Sequence, residues 1–396
     1  LNIRGSDVPN TPLCLSFAIL NSNGNLEWYV DERKINNETL AHLGTNIQIN
    51  PIKKFGAALD SLKHKKVLLD SKTLSSWISD RLLTAEAKIK FGTDPCQLPK
   101  ACKNNTELDG ARAAHIRDGA ALTKFLAWIS LKIRTEEINE LSAQQKLEEL
   151  RGQGKFFRGL SFDTISSYGA NGAIVHYRAS SKTNKIFTPG SLYLVDSGGQ
   201  YLDGTTDVTR TIAIGEPTQE IRERFTRVLK GHIALSRAIF PEGTTGSQLD
   251  ALARAPLWEA GLDFDHGTGH GVGSYLGVHE GPHGISPRAK KIALRPGMMI
   301  SNEPGYYEEN NYGIRIENLV VVVRVPKKSN DGENLLMLET LTLAPIDHNL
   351  ISKELLEIDE INWLNSYHAR VRKLLSPIVD KKTAAWLHLV TQPIKV

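Results

Sequence analysis

The sequence predicts an α+β protein in which a small α/β domain precedes a larger part of helices packed around antiparallel strands. Short strand-like runs alternate with helical ones over residues 1–104, which is typical of a small α/β domain. Further on, long segments with apolar residues at helical spacing flank pairs of short apolar runs. Helices beside an antiparallel sheet define the α+β class.

The first domain is predicted to be a scaffold without chemistry of its own. The apolar runs Leu13–Leu20 and Leu26–Val30 enclose an Asn-Ser-Asn-Gly turn, which predicts a hairpin. A further strand is predicted over Lys66–Leu69 and an amphipathic helix over Leu74–Leu83. Asp94–Thr106, with two prolines and many polar residues, is predicted to be a linker.

The second domain is predicted over residues 105–345, with a helical extension over residues 346–396. Its predicted helices are Glu107–Trp128, Glu136–Arg151, Glu220–Phe240 and Gln248–Ala260. Its predicted strands are Leu192–Val195, Val208–Ile214, Met298–Ser301 and Ile314–Val323.

Composition and charge argue against two classes of partner. The net charge is +4 with Lys and Arg spread along the chain, whereas nucleic-acid binding usually needs a concentrated basic face. No apolar run approaches the roughly 18 residues of a membrane span. Cys14, Cys96 and Cys102, without a CxxC pair, fit reduced thiols and predict a cytoplasmic protein, with a Cys96–Cys102 disulfide as the alternative. Since Leu1 already begins sequence that reads as folded, we expect N-terminal sequence to be missing.

Two aspartates border a turn-rich segment. Asp196 ends the apolar run Ser191–Val195, and Asp207 precedes the run Val208–Ile212. A hairpin between the runs would bring both carboxylates side by side, although eleven positions separate them. For either residue alone, a solvated acid in a turn is the alternative. The two aspartates together, followed by Arg210, are stronger evidence for a functional site than either aspartate alone.

A histidine lies in a segment dense in glycine. His270 follows His266 by four positions within Asp265–Gly273, and such glycines let the backbone approach a bound group closely. A phosphate-binding loop is the alternative, but the Lys-Ser/Thr pair that follows such a loop is absent. Two histidines among glycines fit a polar cleft better than a core.

Two glutamates accompany later strand-like runs. Glu303 follows the apolar run Met298–Ile300, and Glu317 lies within Gly313–Val322. In a strand, Arg315 and Glu317 would share one face, so a buried salt bridge is the alternative for that pair. It does not explain Glu303 or the aspartates.

The acids and the imidazole together predict a site for two metal ions. Buried acids are costly unless they are paired or bound to a cation. The predicted ligands are Asp196, Asp207, His270, Glu303 and Glu317. Without a thiolate, this set disfavours structural zinc and favours Mn²⁺, with Co²⁺, Fe²⁺ and Zn²⁺ as competitors. Two ions roughly 3.5–4 Å apart would turn a shared water into hydroxide near neutral pH, which points to a hydrolase.

This ordered set resembles the creatinase/aminopeptidase, or pita-bread, metallopeptidases of family M24. The surrounding segments are similar to the Xaa-Pro aminopeptidases in particular: Val195–Tyr201, Asp207–Thr211, His266–Gly273, Val278–Pro282 and Asn302–Tyr307. The start of the chain resembles the middle domain of their long, three-domain form, and the tail around Trp363–His368 resembles its C-terminal extension. The resemblance therefore implies a creatinase-N-terminal-like domain, a pita-bread catalytic domain and a helical extension, with the first domain absent.

The resemblance also implies roles for individual residues. The five ligands above match the metal ligands of the family. The expected catalytic residues around the scissile bond are His176, His266, His279 and Glu303, and those near the proline pocket are Tyr307 and Arg315.

The implied activity is removal of the N-terminal residue from peptides with proline in second position, through attack by the hydroxide between two metals. A homodimer is also implied. The nearest alternative is a prolidase that cleaves Xaa-Pro dipeptides. The alternative of another class is an inactive pita-bread protein that binds a partner, although none of the ligands is missing. The complete ligand set also argues against a metal-free creatinase type, and the chain length argues against a methionine aminopeptidase.

Overall fold

The computed structural model describes residues 1–288, 291–326, 332 and 334–395. The chain separates into two compact units, Leu1–Lys100 and Ala101–Val396. Helices and sheets occur in both units, and the α+β class is confirmed. The predicted domain limits at residues 104 and 345 stay predictions. None of the described helices is long and apolar enough to cross a membrane.

The first unit contains two small sheets with helices between their strands. Its strands are β1 (Phe17–Leu20), β2 (Leu26–Val30), β3 (Ile47–Pro51), β4 (Lys66–Leu69) and β5 (Lys88–Phe91). Its helices are α1 (Asn37–Leu43), α2 (Phe55–Asp60) and α3 (Ser76–Thr84), and α4 (Gln97–Ala101) ends at the unit boundary.

The predicted hairpin is present in this first unit, because β1 pairs antiparallel with β2. Strand β2 also pairs parallel with β3, and β4 pairs parallel with β5. The residues Tyr29, Phe55 and Leu82 are buried together beneath the strands. Burying apolar side chains of this size stabilises a domain by roughly 1.5–3 kcal/mol each.

The second unit places its helices around several short antiparallel sheets. Its helices are α5 (Asn105–Lys132), α6 (Glu140–Gly152), α7 (Gln219–Ser236), α8 (Gly246–Trp258), α9 (Ile358–Leu375) and α10 (Lys381–Val390). Its first strands are β6 (Phe157–Leu160), β7 (Ile165–Tyr168), β8 (Ser191–Ser197), β9 (Gly199–Tyr201), β10 (Gly204–Thr205), β11 (Val208–Ile214) and β12 (Ile239–Pro241). The later ones are β13 (Gly269–His270), β14 (Gly284–Ile285), β15 (Met299–Asn302), β16 (Gly305–Glu308), β17 (Tyr312–Arg315), β18 (Asn318–Arg324) and β19 (Leu335–Thr340).

Two sheets of the second unit carry most of the acids. One has the strand order β11-β8-β7 and the other the order β12-β19-β18-β15. Hairpin β16–β17 carries Tyr307 and Arg315, hairpin β13–β14 carries His270, and His176 lies in the segment between β7 and β8. Helix α7 packs its buried face, including Phe225 and Leu229, into a core shared with α8 and α9. Because the sheets are held from behind by this core, their polar edge residues are fixed in position.

Helix α5 shows how local sequence sets one boundary. It begins with a capping box, in which the Asn104 side chain accepts from the Glu107 amide and the Glu107 carboxylate accepts from the Asn104 amide. The predicted linker Asp94–Thr106 therefore contains α4 and the first turn of α5. The predicted α5 boundaries were too short at both ends.

Two predicted elements are wrong in part. The run Ile314–Val323 is two strands, because the amide of Ile316 donates to Pro304 and that of Glu317 donates to Thr209. Arg315 and Glu317 therefore do not lie on the same face of one strand, as the sequence had predicted. The predicted helix Glu220–Phe240 ends at Ser236, and its last residues join a sheet as β12.

A buried arginine connects the acid-bearing strands with the C-terminal helices. Arg210 donates to the carbonyl oxygens of Thr209 and Glu317 and to the hydroxyl of Tyr367 in α9. The Tyr367 hydroxyl also accepts from the Ala344 amide. Arg210 is thus explained by internal hydrogen bonding, and α9 supports the backbone at Glu317, between β17 and β18.

Tyr367→Phe is expected to lower the free energy of unfolding by about 2 kcal/mol, because the buried Ala344 amide loses its acceptor and Arg210 loses one of its hydrogen bonds. Tyr312→Phe is the matched control, since the buried Tyr312 hydroxyl has no hydrogen-bond partner among the described residues. The control should change stability by less than about 0.5 kcal/mol. Denaturant unfolding measures both, and equal effects would refute the importance of the Arg210–Tyr367 hydrogen bond.

Candidate metal centre

The residues singled out by the sequence meet in one cavity of the second unit. The cavity has a volume of about 270 Å³. Its polar lining consists of Asp196, Asp207, His270, Glu303 and Glu317 together with His176, His266, His279 and Arg315. Phe162, Ile165 and Val175 add an apolar part to the wall. Tyr307 contacts lining residues but does not itself line the cavity.

The two aspartates are brought together by the predicted hairpin. Strand β8 pairs antiparallel with β11, with Asp196 opposite Thr209 and Ser197 opposite Val208. Asp207 immediately precedes β11 and is only 4% exposed. A two-strand register therefore fixes both carboxylates at one end of the sheet.

His270 is held by close packing of the glycine-rich segment. A Cβ on Gly269 would lie 1.9 Å from the carbonyl oxygen of Ser301, and one on Gly271 would lie 2.0 Å from that of Glu280. These glycines allow neighbouring backbone, rather than a phosphate group, to approach. The ring Nε2 of His270 lies 3.4 Å from both Asp207 Oδ2 and Glu303 Oε1.

Each glutamate is oriented by a hydroxyl on a strand, because Ser301 lies on β15, which ends just before Glu303, and Thr209 lies on β11. The Ser301 Oγ donates to Glu303 Oε1 at 2.9 Å, and the Thr209 Oγ1 donates to Glu317 Oε2 at 2.8 Å. Sequence analysis missed both hydroxyl residues. A signal was present for Ser301, which stands two positions before Glu303, whereas the partner of Thr209 is Glu317, 108 positions further along the chain.

Arg315 joins the acids to an aromatic residue. Its Nη2 donates to Asp196 Oδ2 at 2.7 Å, and its Nη1 donates to the Tyr307 hydroxyl at 2.6 Å. Tyr307 in turn lies 2.9 Å from Nε2 of His266. The Nδ1 of His266 faces the carbonyl of Gly267, which only accepts, so Nδ1 carries the hydrogen and Nε2 accepts from Tyr307.

The histidines near the acids are kept neutral. Burial, followed by the positive charge of Arg315, lowers the pKa of His266 to about 4. Burial, followed by the neighbouring His270, lowers the pKa of His279 to about 4. The rings of His270 and His279 meet edge to face with centroids 4.2 Å apart. His176 is exposed and also lines the cavity.

The acids repel one another. Burial, then the charges of Asp196 and Glu303, raise the pKa of Asp207 well above its ordinary value. Burial, then Asp207, does the same to the pKa of Glu317, and burial raises the pKa of Glu303. Anionic side chains in this arrangement are unfavourable unless a cation accompanies them.

The donor set fits divalent metal ions. One ligand atom from each of Asp207, His270 and Glu317 lies within 4.8 Å of the others. Among the described residues, the buried oxygens Asp196 Oδ1, Asp207 Oδ1 and Glu317 Oε1 have no hydrogen-bond partner. The Nδ1 of His270 faces the Gly271 carbonyl, and Nε2 is directed at the carboxylates of Asp207 and Glu303. A cation would satisfy all of these atoms at once.

Fold and site together define a metallohydrolase of the pita-bread class. Comparison with family models agrees: residues 109–324 match the model "Metallopeptidase family M24". Residues 1–107 match "Creatinase/Prolidase N-terminal domain", and residues 334–394 match the C-terminal region of peptidase M24. The chain belongs to metallopeptidase family M24.

Curated proteins that are similar to the chain carry the name Xaa-Pro aminopeptidase P. The chain is 44% identical to "Probable Xaa-Pro aminopeptidase P" of Tuber melanosporum and 46% identical to that of Sclerotinia sclerotiorum, over 99% of its own length. It spans 67% and 68% of these two proteins, and 62% of a similar one from Botryotinia fuckeliana.

Comparison with solved structures matches the chain to an X-prolyl aminopeptidase and to a prolidase. The chain superposes with a TM-score of 0.93 on an X-prolyl aminopeptidase of Caenorhabditis elegans, described as a cytosolic enzyme with a di-nuclear active site. The two are 38% identical, over 99% of this chain and 65% of the nematode one. A prolidase from Pyrococcus furiosus gives a TM-score of 0.64 at 28% identity, over 83% of this chain and 89% of that one.

Proposed function

We propose that the protein is a dinuclear-metal aminopeptidase that releases the N-terminal residue from peptides with proline in second position. The observation that carries the proposal is the convergence of four carboxylates and one imidazole, with unpartnered buried oxygens, in one cavity. The relatives named Xaa-Pro aminopeptidase P and the di-nuclear nematode enzyme support the substrate and the number of ions.

The residues that would hold the ions are Asp196, Asp207, His270, Glu303 and Glu317. The hard oxygen donors and the single imidazole favour Mn²⁺, with Co²⁺, Fe²⁺ and Zn²⁺ as the other candidates. When bound, the two ions would lower the pKa of a water molecule and polarise the scissile carbonyl.

Proton movement is assigned to Glu303 and His279. The raised pKa of Glu303 suits a carboxylate that accepts a proton from attacking water and passes it to the leaving nitrogen. Ser301 occupies Oε1, so Oε2 is the oxygen assigned to this transfer. Neutral His279 can donate an N–H hydrogen bond to the carbonyl oxygen as negative charge develops there.

Selectivity for proline must come from shape. The leaving nitrogen is the proline ring nitrogen, a tertiary amide without an N–H, so the enzyme cannot recognise it by accepting a hydrogen bond. The apolar wall residues Phe162, Ile165 and Val175 offer contact surface, and His266, held by Tyr307, presents an aromatic edge. His176 is assigned to the substrate side of the cavity.

The test is hydrolysis of an Xaa-Pro-Xaa tripeptide and an Xaa-Pro dipeptide by metal-stripped protein, with and without added Mn²⁺. Mn²⁺-dependent release of only the first residue of the tripeptide would support the proposal. Cleavage of the dipeptide alone would instead identify a prolidase, which the pyrococcal match keeps as the second candidate. Failure to bind metal would favour the inactive, partner-binding alternative.

Two further properties belong to the same proposal. A cytoplasmic location is supported by the description of the nematode enzyme as cytosolic. A homodimer is proposed on the resemblance to the long form of these enzymes. Light scattering coupled to gel filtration would test it, and a mass equal to one chain would exclude the dimer.

Tyr307→Phe is expected to lower kcat/KM for the tripeptide by about tenfold, because His266 loses the donor that holds its ring. Mn²⁺ affinity should stay within about twofold, since Arg315 keeps its hydrogen bond to Asp196. The matched control is Tyr306→Phe, whose hydroxyl bonds to Glu308 away from the cavity. Steady-state kinetics and titration calorimetry separate the two effects, and a Tyr307→Phe protein with unchanged kcat/KM would refute the role of Tyr307.

A further inference from the structure

A fully buried carboxylate outside the metal cluster has no role in the chemistry above. Glu140 is the first residue of α6 and is 0% exposed. Every hydrogen bond that its side chain accepts comes from a neutral donor: the amides of Tyr168 and Lys185, the Asn171 side chain and the Tyr177 hydroxyl. A buried carboxylate is expensive to desolvate, so its hydrogen bonds must recover that cost.

The donors come from the beginning, the middle and the end of one loop. The amide of Tyr168 at its start donates to Oε1 at 2.7 Å, and that of Lys185 at its end donates to Oε2 at 3.0 Å. Between them, the Tyr177 hydroxyl donates to Oε2 at 2.8 Å and Asn171 contacts both oxygens. One carboxylate therefore gathers three parts of the segment 168–185 at a single point.

An ionised carboxylate is needed for this geometry. It offers about four acceptor positions and no donor, whereas a glutamine offers a single acceptor oxygen. In Glu140→Gln, the new NH2 group would face the Lys185 amide or the Asn171 amide, which are themselves donors.

The loop carries His176 next to the anchored Tyr177. The His176 ring lines the cavity and is exposed, and no hydrogen bond to it is found among the described residues. Its position therefore depends on the backbone that bears it. We propose that Glu140 is a positioning residue that holds the loop 168–185 so that His176 faces the metal ligands across the cavity. The inference rests on the proposed function for its kinetic consequence.

The test compares Glu140→Gln, His176→Ala and the double variant in the full chain with Mn²⁺. Glu140→Gln is expected to lower kcat/KM for the tripeptide by about tenfold in the wild-type background and by less than about twofold in the His176→Ala background. Hydrogen exchange of the backbone amides in 168–185 should quicken about tenfold while Mn²⁺ affinity stays unchanged. Equal losses of kcat/KM in both backgrounds would overturn the inference.

Two additional variants separate positioning from general stability. Tyr177→Phe keeps the carboxylate, removes one donor beside His176 and should give a smaller effect in the same direction. Asp347→Asn is the matched control, because its carboxylate also accepts from two backbone amides, those of Ala213 and Asn349, away from the cavity. It should lower stability without changing KM.

The exchange measurement keeps this inference distinct from the proposed function. If wild-type protein failed to cleave the tripeptide, the proposed function would fail, whereas faster exchange confined to 168–185 would still support the anchoring by Glu140. Unchanged exchange in Glu140→Gln would overturn the anchoring even in an active enzyme.

Discussion

Glu303→Ala is expected to lower kcat for an Xaa-Pro-Xaa tripeptide by about 10⁴-fold, the upper range for loss of a general base. The carboxylate lies within 3.4 Å of Nε2 of His270 and has a raised pKa, so it is placed both to bind metal and to accept a proton. The substitution removes both functions. Tripeptide cleavage assays that are quenched at set times measure kcat, and calorimetry measures the accompanying loss of Mn²⁺ affinity.

Two further variants test how much of the loss in kcat is due to removal of the proton acceptor. Glu303→Gln keeps an oxygen for the Ser301 hydroxyl but removes the proton acceptor, so kcat should still fall by at least about a hundredfold. Glu308→Ala, on the hairpin that follows Glu303, removes a carboxylate that bonds to Tyr306 outside the cavity and should leave kcat within about twofold. Near-normal turnover by Glu303→Ala would rule out the assignment of Glu303 as the base.

The meeting of the four acids and His270 in one cavity was predictable, because a shared metal ion would constrain residue type and order. Acids beside apolar strand ends have few explanations other than a cation, and the hairpin between Asp196 and Asp207 followed from local turn residues. The α+β class followed from helical and strand periodicity in the same way. The turn residues and the periodicity are local features, so a single sequence was sufficient for these predictions.

The supporting roles of Glu140 and Thr209 were not predictable, because their partners are distant in sequence. Glu140 receives its hydrogen bonds from residues 28 to 45 positions further along the chain, and no local pattern marks it. The break between β17 and β18 arises because the Glu317 amide donates to Thr209 on another sheet. Tertiary hydrogen bonds of this kind override strand propensity, which is read from neighbours alone.

Asp207→Asn is expected to abolish Mn²⁺-dependent activity and yet stabilise the metal-stripped protein by about 1–3 kcal/mol. Without metal, Asp207 is a buried acid beside Asp196 and Glu303, whose charges raise its pKa. Asparagine has the same shape without the charge. Added Mn²⁺ should raise the melting temperature of the wild type, since it binds the folded state, and should fail to do so for the variant.

The pH dependence of this difference has a definite sign. An acid with a raised pKa in the folded state makes folding less favourable as pH rises above its unfolded value, here 3.8. The stability advantage of Asp207→Asn over metal-stripped wild type should therefore grow from about pH 4 upward and vanish near that value. Taking the difference between two variants cancels the titration of the neutral histidines His266 and His279.

Asp203→Asn is the matched control for Asp207→Asn, because it changes an aspartate of the same hairpin that is paired with Arg117. Removing the Asp203 charge leaves the half-buried Arg117 without its partner. This variant should therefore lose stability while keeping the full Mn²⁺-induced rise in melting temperature. Opposite signs for the same chemical substitution four positions apart would show that Asp207 is retained for metal binding at the expense of stability. A metal-stripped Asp207→Asn protein that melts below the wild type would contradict the repulsion on which the two-metal site was inferred.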